Sequence, residues 1–349
     1  MSWLIYGANG YTGTLIAREA VRRGMQPVLA GRSEAPVRNL ARELGLECRT
    51  FGLTNAEALS SALADQSLVL HCAGPFSQTA KPMIEACIRT GVHYLDITGE
   101  ISVFEYANSR SEAARKADVA LVPGVGFDVV PTDCLAATLV RCLPAATHLQ
   151  LAFEAGGGPS PGTAKTSVEG LANGGRVRRD GRMKTVPLAW KTRRIPFAHG
   201  ERTGVTIPWG DVFTAYITTG IPNIEVYLSV PPATAARLRR MRWVQPLLGL
   251  SFVQKFLKRQ VERRVSGPSA QRRKTTDSQL WGLVESADGR TVEATMTTPN
   301  GYDLTVDAGL GVVAYLLDNA VEGGYYTPAL LMGADYAASL SGVRLRIGA

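Results

Sequence analysis

Gly7, Gly10 and Gly13 stand three residues apart in the opening stretch MSWLIYGANGYTG, between an apolar run and a segment of helical periodicity. Glycines at this spacing permit a tight turn, close backbone approach to a pyrophosphate and close packing of a helix on a strand. The helix N-terminus adds N–H groups and partial positive charge. With Asn9, Tyr11 and Thr12 between them, these glycines predict a dinucleotide-binding turn. The next apolar run ends in LAGRS, which puts Arg32 where a strand that binds NAD would end in a carboxylate. A carboxylate there accepts from ribose hydroxyls and repels a 2′-phosphate; a guanidinium with Ser33 beside it does the reverse. The expected cofactor is therefore NADP(H). The alternative for Arg32 is a solvated arginine in a loop.

The elements that must position these residues follow from periodicity. SWLIY, QPVLA, CRTF, SLVLHCA, VHYLDI and VALVPGV are short apolar runs separated by amphipathic segments such as TLIAREAVRR. Apolar strands alternating with helices predict βαβ units and a parallel, doubly wound sheet covered on both faces, over residues 1–128. After PGVGFDVVPTD the rhythm changes. THLQLAFEA, VFTAYITTG, IEVYLSV, SQLWGLVES and RTVEATMTT read as longer strands, which predicts a second α+β domain on a mixed sheet over 129–301. Residues 302–349 return to helical patterning and are expected to pack back on the first domain. The fold class is thus α/β, a Rossmann domain with a second, mixed-sheet domain.

In doubly wound sheets ligands lie outside the carboxyl ends of the strands. Ala73, Gly74, Pro75 and Phe76 follow the fourth strand and are expected to line the cofactor groove, or to form a simple turn. After the fifth strand comes HYLDITGE. Asp96 and Glu100 there either orient a substrate or cap the helix beginning near Ile101. His93 is read as a packing residue. Gly124 and Gly126 suit a tight crossover between domains, and Asp128 and Asp133 are hinge, helix-capping or catalytic residues.

Composition sets the class around these motifs. With 45% apolar and 19% charged residues in a chain of 349, a globular protein of two domains is expected. The five cysteines form neither a CxxC pair nor an even framework, which argues against zinc and against disulfides and for a reducing cytoplasm. Met1 leads directly into a strand without a basic leader, and the longest apolar runs are too short or too interrupted to span a bilayer. Charge is uneven: residues 1–128 carry 12 Lys and Arg against 13 Asp and Glu, and the remainder 26 against 17. A basic second domain can meet an anionic membrane or an acidic partner; nucleic acid is disfavoured because the basic runs come with no recognition module.

GANGYTG, LAGRS, CAGPF, YLDITGE and GFDVVPTD, in this order and spacing, resemble the saccharopine dehydrogenase-like oxidoreductases, in particular their trans-acting enoyl reductase branch. GTAKTSVEGL and SGPSAQRRKT agree. The resemblance implies an NADP-type Rossmann domain joined to a substrate and dimerisation domain, hence a homodimer. It leaves the reaction open between enoyl (C=C) reduction of an acyl thioester, free or on a carrier protein, and saccharopine-type imine (C=N) reduction. A non-catalytic NADP-binding adaptor is a third reading. The second domain's arginines lie mostly in runs such as RVRRDGR and KTRR that read as solvated surface, which favours the enoyl substrate over one with several carboxylates. Lys165, flanked by Thr163 and Thr166 at a helix N-terminus, is the first candidate to polarise the acceptor or supply the proton, with a surface lysine as the alternative. Asp96, Glu100 and Asp128 follow it.

The segment 233–264 is basic at its ends and apolar at its centre, with Trp243, Leu247, Leu248, Phe252, Phe256 and Leu257 available for buried faces. Pro246 and Gly249 are expected to break it into two helical pieces. Its apolar face either packs on the second-domain sheet or a dimer partner, or attaches peripherally to anionic lipid.

Overall fold

The computed structural model describes residues 2–172, 174–244, 248 and 250–348. Pro246, Gly249 and Leu247, read above as helix breakers and an apolar contact, lie outside the described residues. The chain divides into two compact units, Met1–Val130 with Leu304–Met332 and Pro131–Asp303 with Gly333–Ala349.

The first unit begins β1 (Trp3–Tyr6), α1 (Tyr11–Arg22), β2 (Val28–Gly31), α2 (Glu34–Leu44), β3 (Cys48–Thr50), α3 (Ala56–Leu63), β4 (Leu68–His71), α4 (Phe76–Thr90), β5 (His93–Asp96), α5 (Ile101–Ser109), α6 (Ser111–Lys116) and β6 (Ala120–Val122). Every residue of β1, β2, β4 and β6 is buried, as expected of strands covered on both faces. Each helix starts and stops for a local reason. Asn55 accepts from the N–H groups of Glu57 and Ala58 to cap α3, and Gly45 and Gly91, both left-handed, end α2 and α4.

The next helix, α7 (Val130–Cys142), belongs to the second unit from Pro131 onward. The second unit continues with β7 (Ala146–Glu154), α8 (Pro161–Ala172), β8 (Gly175–Arg179), β9 (Arg182–Val186), β10 (Thr192–Phe197), β11 (Gly200–Thr206), α9 (Asp211–Thr219), β12 (Asn223–Ser229), α10 (Pro232–Arg240), a short 3₁₀ turn (Met241–Val244), helices Ser251–Arg264 and Ala270–Lys274, β13 (Ser278–Ser286) and β14 (Thr291–Thr298). Helix Gly301–Asp318, β15 (Gly324–Tyr325), two short helices and β16 (Arg344–Gly348) complete the chain.

The first sheet has the order β15-β6-β5-β4-β1-β2-β3, with every described pair parallel. Strand order reverses between β1 and β4, the switch point at which such sheets open a ligand crevice. The six expected strands are joined by a seventh, β15, which pairs with β6. The second sheet has the order β10-β11-β12-β7-β13-β14-β16, with β8 and β9 off this path; β12 runs parallel to β7 and the remaining pairs are antiparallel.

Three expectations are corrected. VFTAYITTG forms α9 rather than a strand: Asp211 opens it, left-handed Gly220 ends it, and Val212, Phe213 and Ala215 are buried along it, so tertiary packing overrides β propensity. The runs RVRRDGR and KTRR are strands of the hairpins β8–β9 and β10–β11, with Val177, Arg178 and Ile195 buried. The tail 302–349 is not a single return. Its part Leu304–Met332 joins the first unit, while β16 pairs with β14 in the second.

Candidate functional site

The turn between β1 and α1 is built by its glycines. Gly7 is left-handed at φ +83°, and a Cβ there would stand 2.8 Å from the nitrogen and Cβ of Ala73. A Cβ on Gly13 would lie 2.3 Å from the Gly7 carbonyl oxygen, so helix and turn touch through bare backbone. Gly10 differs: its backbone is extended at φ −76°, and its Cβ would meet only the Gly7 carbonyl oxygen at 3.2 Å. Its side facing away from the turn is open. Gly10 caps α1 with no side-chain bond and no acid in the first turn. The start of α1 therefore meets the requirements of a pyrophosphate cradle. Asn9 is exposed, with its Oδ1 over Gly31; Tyr11 and Thr12 are half-buried.

Arg32 follows β2 and is exposed, as is Ser33, the N-cap residue of α2. The neighbouring acid Glu34 is taken up by Arg38 in an i,i+4 ion pair. Among the described residues Arg32 enters no ion pair. Its charge is felt by the phenol of Tyr6, whose proton affinity is raised first by burial and lowered by that guanidinium. The Tyr6 hydroxyl donates to the Phe51 carbonyl oxygen at 3.1 Å, tying the end of β1 to the residue after β3.

The segment Ala73–Phe76 lies beyond β4, with a cis Gly74–Pro75 peptide. It is pinned by residues that sequence reasoning missed. Thr79 Oγ1 donates to the Ala73 carbonyl oxygen at 2.7 Å, and His71 Nε2 lies 3.0 Å from the same hydroxyl. His71 is fully buried, and burial drives its pKa down to about 3, so the ring is neutral. Nothing in the string HCAGPFSQT marks Thr79 as more than an ordinary helix residue; the partnership needs the turn of α4 to exist.

The acidic candidates gather at the same carboxyl edge. Asp96 is fully buried at the end of β5. Its Oδ1 accepts from the N–H groups of Thr98 (2.9 Å) and Gly124 (2.8 Å), and its Oδ2 from the Tyr94 hydroxyl (2.6 Å). Burial raises its pKa to about 6 against those hydrogen bonds. It ties β5 to the loop after β6 and caps no helix. Glu100 is the residue before α5, yet its side chain does not cap that helix. It reaches instead to the start of α4, accepting from Phe76 N–H at 3.0 Å and Ser77 N–H at 2.7 Å. Capping is thus its role, on a helix other than the expected one.

Asp128 packs against Gly99, where a Cβ would lie 3.1 Å from its Oδ2. Burial, and next the charge of Glu100, raise its pKa to about 7, so it titrates near neutrality. Asp133 is placed elsewhere, buried in α7 and accepting from the Thr218 hydroxyl at 2.6 Å. His93 Nδ1 accepts from Ala120 N–H at 3.0 Å, a strand-linking role in keeping with a packing residue. Lys165 belongs to the second unit, half-buried near the start of α8. Among the described residues no group of three or more His, Cys, Asp and Glu side chains is placed to hold a metal ion. No helix among them is long and apolar enough to cross a membrane.

Residues 3–122 match the saccharopine dehydrogenase NADP binding domain family, whose span includes the glycine turn, Arg32, the Ala73–Phe76 segment, Asp96 and Glu100. A saccharopine dehydrogenase-like oxidoreductase of Bos taurus is 28% identical over 239 residues, 59% of this chain and 56% of the relative. A trans-acting enoyl reductase of Mycobacterium leprae is 30% identical over 138 residues, 37% of this chain and 33% of the relative. The match to the bovine relative thus spans a little over half of that protein's length. Saccharopine dehydrogenase (L-Glu forming) of Saccharomyces cerevisiae shares the fold, with a TM-score of 0.70 over the whole of both chains at 12% identity. Residues 3–122 of the first unit are thus similar to a nicotinamide dinucleotide-binding domain.

Proposed function

From the match of residues 3–122 to the saccharopine dehydrogenase NADP binding domain family, we propose that this chain is an NADPH-dependent reductase acting on the carbon–carbon double bond of an activated acyl substrate. The observation that carries the reading is one sheet edge holding both Arg32, which enters no ion pair among the described residues, and a carboxyl, Asp128, raised to titrate near neutral pH.

Arg32 and Ser33 would hold the 2′-phosphate, the N–H groups at the start of α1 the pyrophosphate, and Ala73–Phe76 the wall of the groove. When bound, NADPH supplies hydride from C4 of its nicotinamide. Reduction of an enoyl thioester also requires a proton at the carbon next to the carbonyl, and Asp128 is assigned that proton. Glu100 supports the assignment: its carboxylate is held by two backbone N–H groups, and its charge raises the affinity of Asp128 for a proton. Two carboxyl groups in contrasting environments separate the proton-holding role from the anionic one.

The enoyl substrate is favoured over an adduct with several carboxylates by the partners of three cations of the second unit, of which Arg178 is buried. Arg178 spends its guanidinium on the carbonyl oxygens of Val212 and Gly181, and Arg179 and Lys191 are both paired with Glu225. Those groups already have partners.

The test is NADPH consumption with a panel of short- and long-chain 2-enoyl thioesters beside a panel of cyclic and linear imines. The proposal expects turnover of an enoyl thioester with deuterium from 4-deuterated NADPH at the carbon distal to the carbonyl. Turnover of imines alone would assign the imine reaction instead, and tight NADPH binding without turnover of either panel would make the protein an adaptor.

A further inference from the structure

Six large apolar side chains remain exposed among the described residues, and four of them, Trp243, Leu250, Phe252 and Phe256, fall within residues 243–256. Trp243 is 90% exposed, Phe252 68% and Phe256 59%. Scattered apolar residues on a surface need no explanation, but a concentration of this kind does.

Helix Ser251–Arg264 separates two faces. Val253, Gln254, Leu257 and Val261 are half-buried, and Gln254 Nε2 donates to the Val168 carbonyl oxygen at 3.1 Å, fixing this side against α8. Phe252, Phe256, Arg259 and Arg263 recur at i, i+4, i+7 and i+11, all exposed, with Lys255 exposed beside them. The inner face packs on α8, rather than on the sheet or a partner as expected, and Phe252 and Phe256, expected to be buried, stay in an exposed aromatic and basic stripe.

The preceding segment adds a second basic and aromatic feature. A groove of about 910 Å³ is lined by Val186, Pro187, Arg239, Arg240, Arg242 and Trp243, among others. Arg242 is fixed by the carbonyl oxygens of Leu188 and Ala189, while Arg239 and Arg240 are exposed and enter no ion pair among the described residues. Over residues 232–264 the sequence holds nine Lys and Arg against the single acid Glu262.

We propose that this surface attaches the protein to an anionic lipid bilayer, with the arginines on phosphodiester headgroups and Trp243, Phe252 and Phe256 in the interface. Charge complementarity selects an acidic surface. Apolar side chains that stand exposed, Trp243 at the rim of the groove and Phe252 and Phe256 on the helix, select one that can be penetrated. A second copy of the chain presenting the same face would set two arrays of like charge against each other. The inference is independent of the reaction proposed above.

The experiment is co-sedimentation of the whole chain with phosphatidylcholine vesicles containing about one-third phosphatidylserine, at low salt and at about 1 M salt, where the Debye length falls to about 3 Å. Binding is expected at low salt, with a blue shift in emission that Trp243→Phe removes, and release is expected at high salt. Arg239→Ser with Arg240→Ser should weaken binding on the order of twentyfold. The triple variant Trp243→Ser, Phe252→Ser, Phe256→Ser should lose insertion while its circular dichroism and NADPH affinity stay unchanged. Failure to sediment with these vesicles at low salt overturns the proposal. So does binding indifferent to the triple substitution, which would be adhesion by charge alone, and so does a dimer in sedimentation velocity that the same substitutions dissolve, which would make this face a self-interface.

Discussion

Gly7 and Ala73 meet across the switch point of the first sheet so closely that a Cβ on Gly7 would stand 2.8 Å from the Ala73 backbone nitrogen. The turn after β1 and the segment after β4 thus form one rigid floor. Gly7→Ala combines this overlap with a left-handed backbone at φ +83°. It is expected to cost on the order of 2–4 kcal/mol, read as a lower denaturation midpoint with urea. A midpoint equal to that of the unchanged protein would mean that turn and segment are not in contact.

Gly10→Val provides the contrast. Its backbone is one that valine adopts freely, and its Cβ meets only one carbonyl oxygen, so the fold should survive. The added side chain stands where a pyrophosphate should approach, and NADPH affinity is expected to fall at least about tenfold. Isothermal calorimetry with matched circular dichroism checks this; unchanged affinity would make the turn purely structural.

Asp128 gives a pH signature in both rate and stability. In the proposed reduction its proton is required for turnover, so kcat/KM should fall as pH rises through about 7, and Asp128→Asn should lower turnover by about a hundredfold or more and remove that limb. Lys165→Met is expected to leave the limb in place. In stability the sign follows from a folded-state pKa of about 7 against an ordinary unfolded value. The folded state holds the proton more tightly, so the contribution is fully present below about pH 4 and is lost as pH rises to about 7. The stability difference between the unchanged protein and Asp128→Asn should therefore shrink across that window, by at most about 1.4 kcal/mol per pH unit, and then level off. A difference that grows with pH would contradict it.

What the sequence revealed and what it concealed divide along physical lines. The glycine turn, the place of Arg32 after β2 and the six strands were legible because they depend on local spacing and on apolar runs that only a doubly covered sheet can bury. The role of Glu100 was not, since its partners Phe76 and Ser77 belong to a different helix and only the parallel pairing of β4 with β5 brings them together. β15 escaped because two residues carry no periodicity, and its pairing with β6 joins positions far apart in the chain. The basic hairpins misled through composition: Val177 and Ile195 are buried on strands whose arginines look like solvated surface.

Recognition of a 2′-phosphate by Arg32 is the central proposal, and calorimetric titration of the protein with NADPH and NADH tests it most directly. One or two charge-assisted hydrogen bonds from Arg32, each worth about 1.5–3 kcal/mol, should make NADPH the tighter ligand by about tenfold to several hundredfold. Arg32→Asp should erase or reverse the preference. Equal affinities for the two cofactors in the unchanged protein would contradict the account.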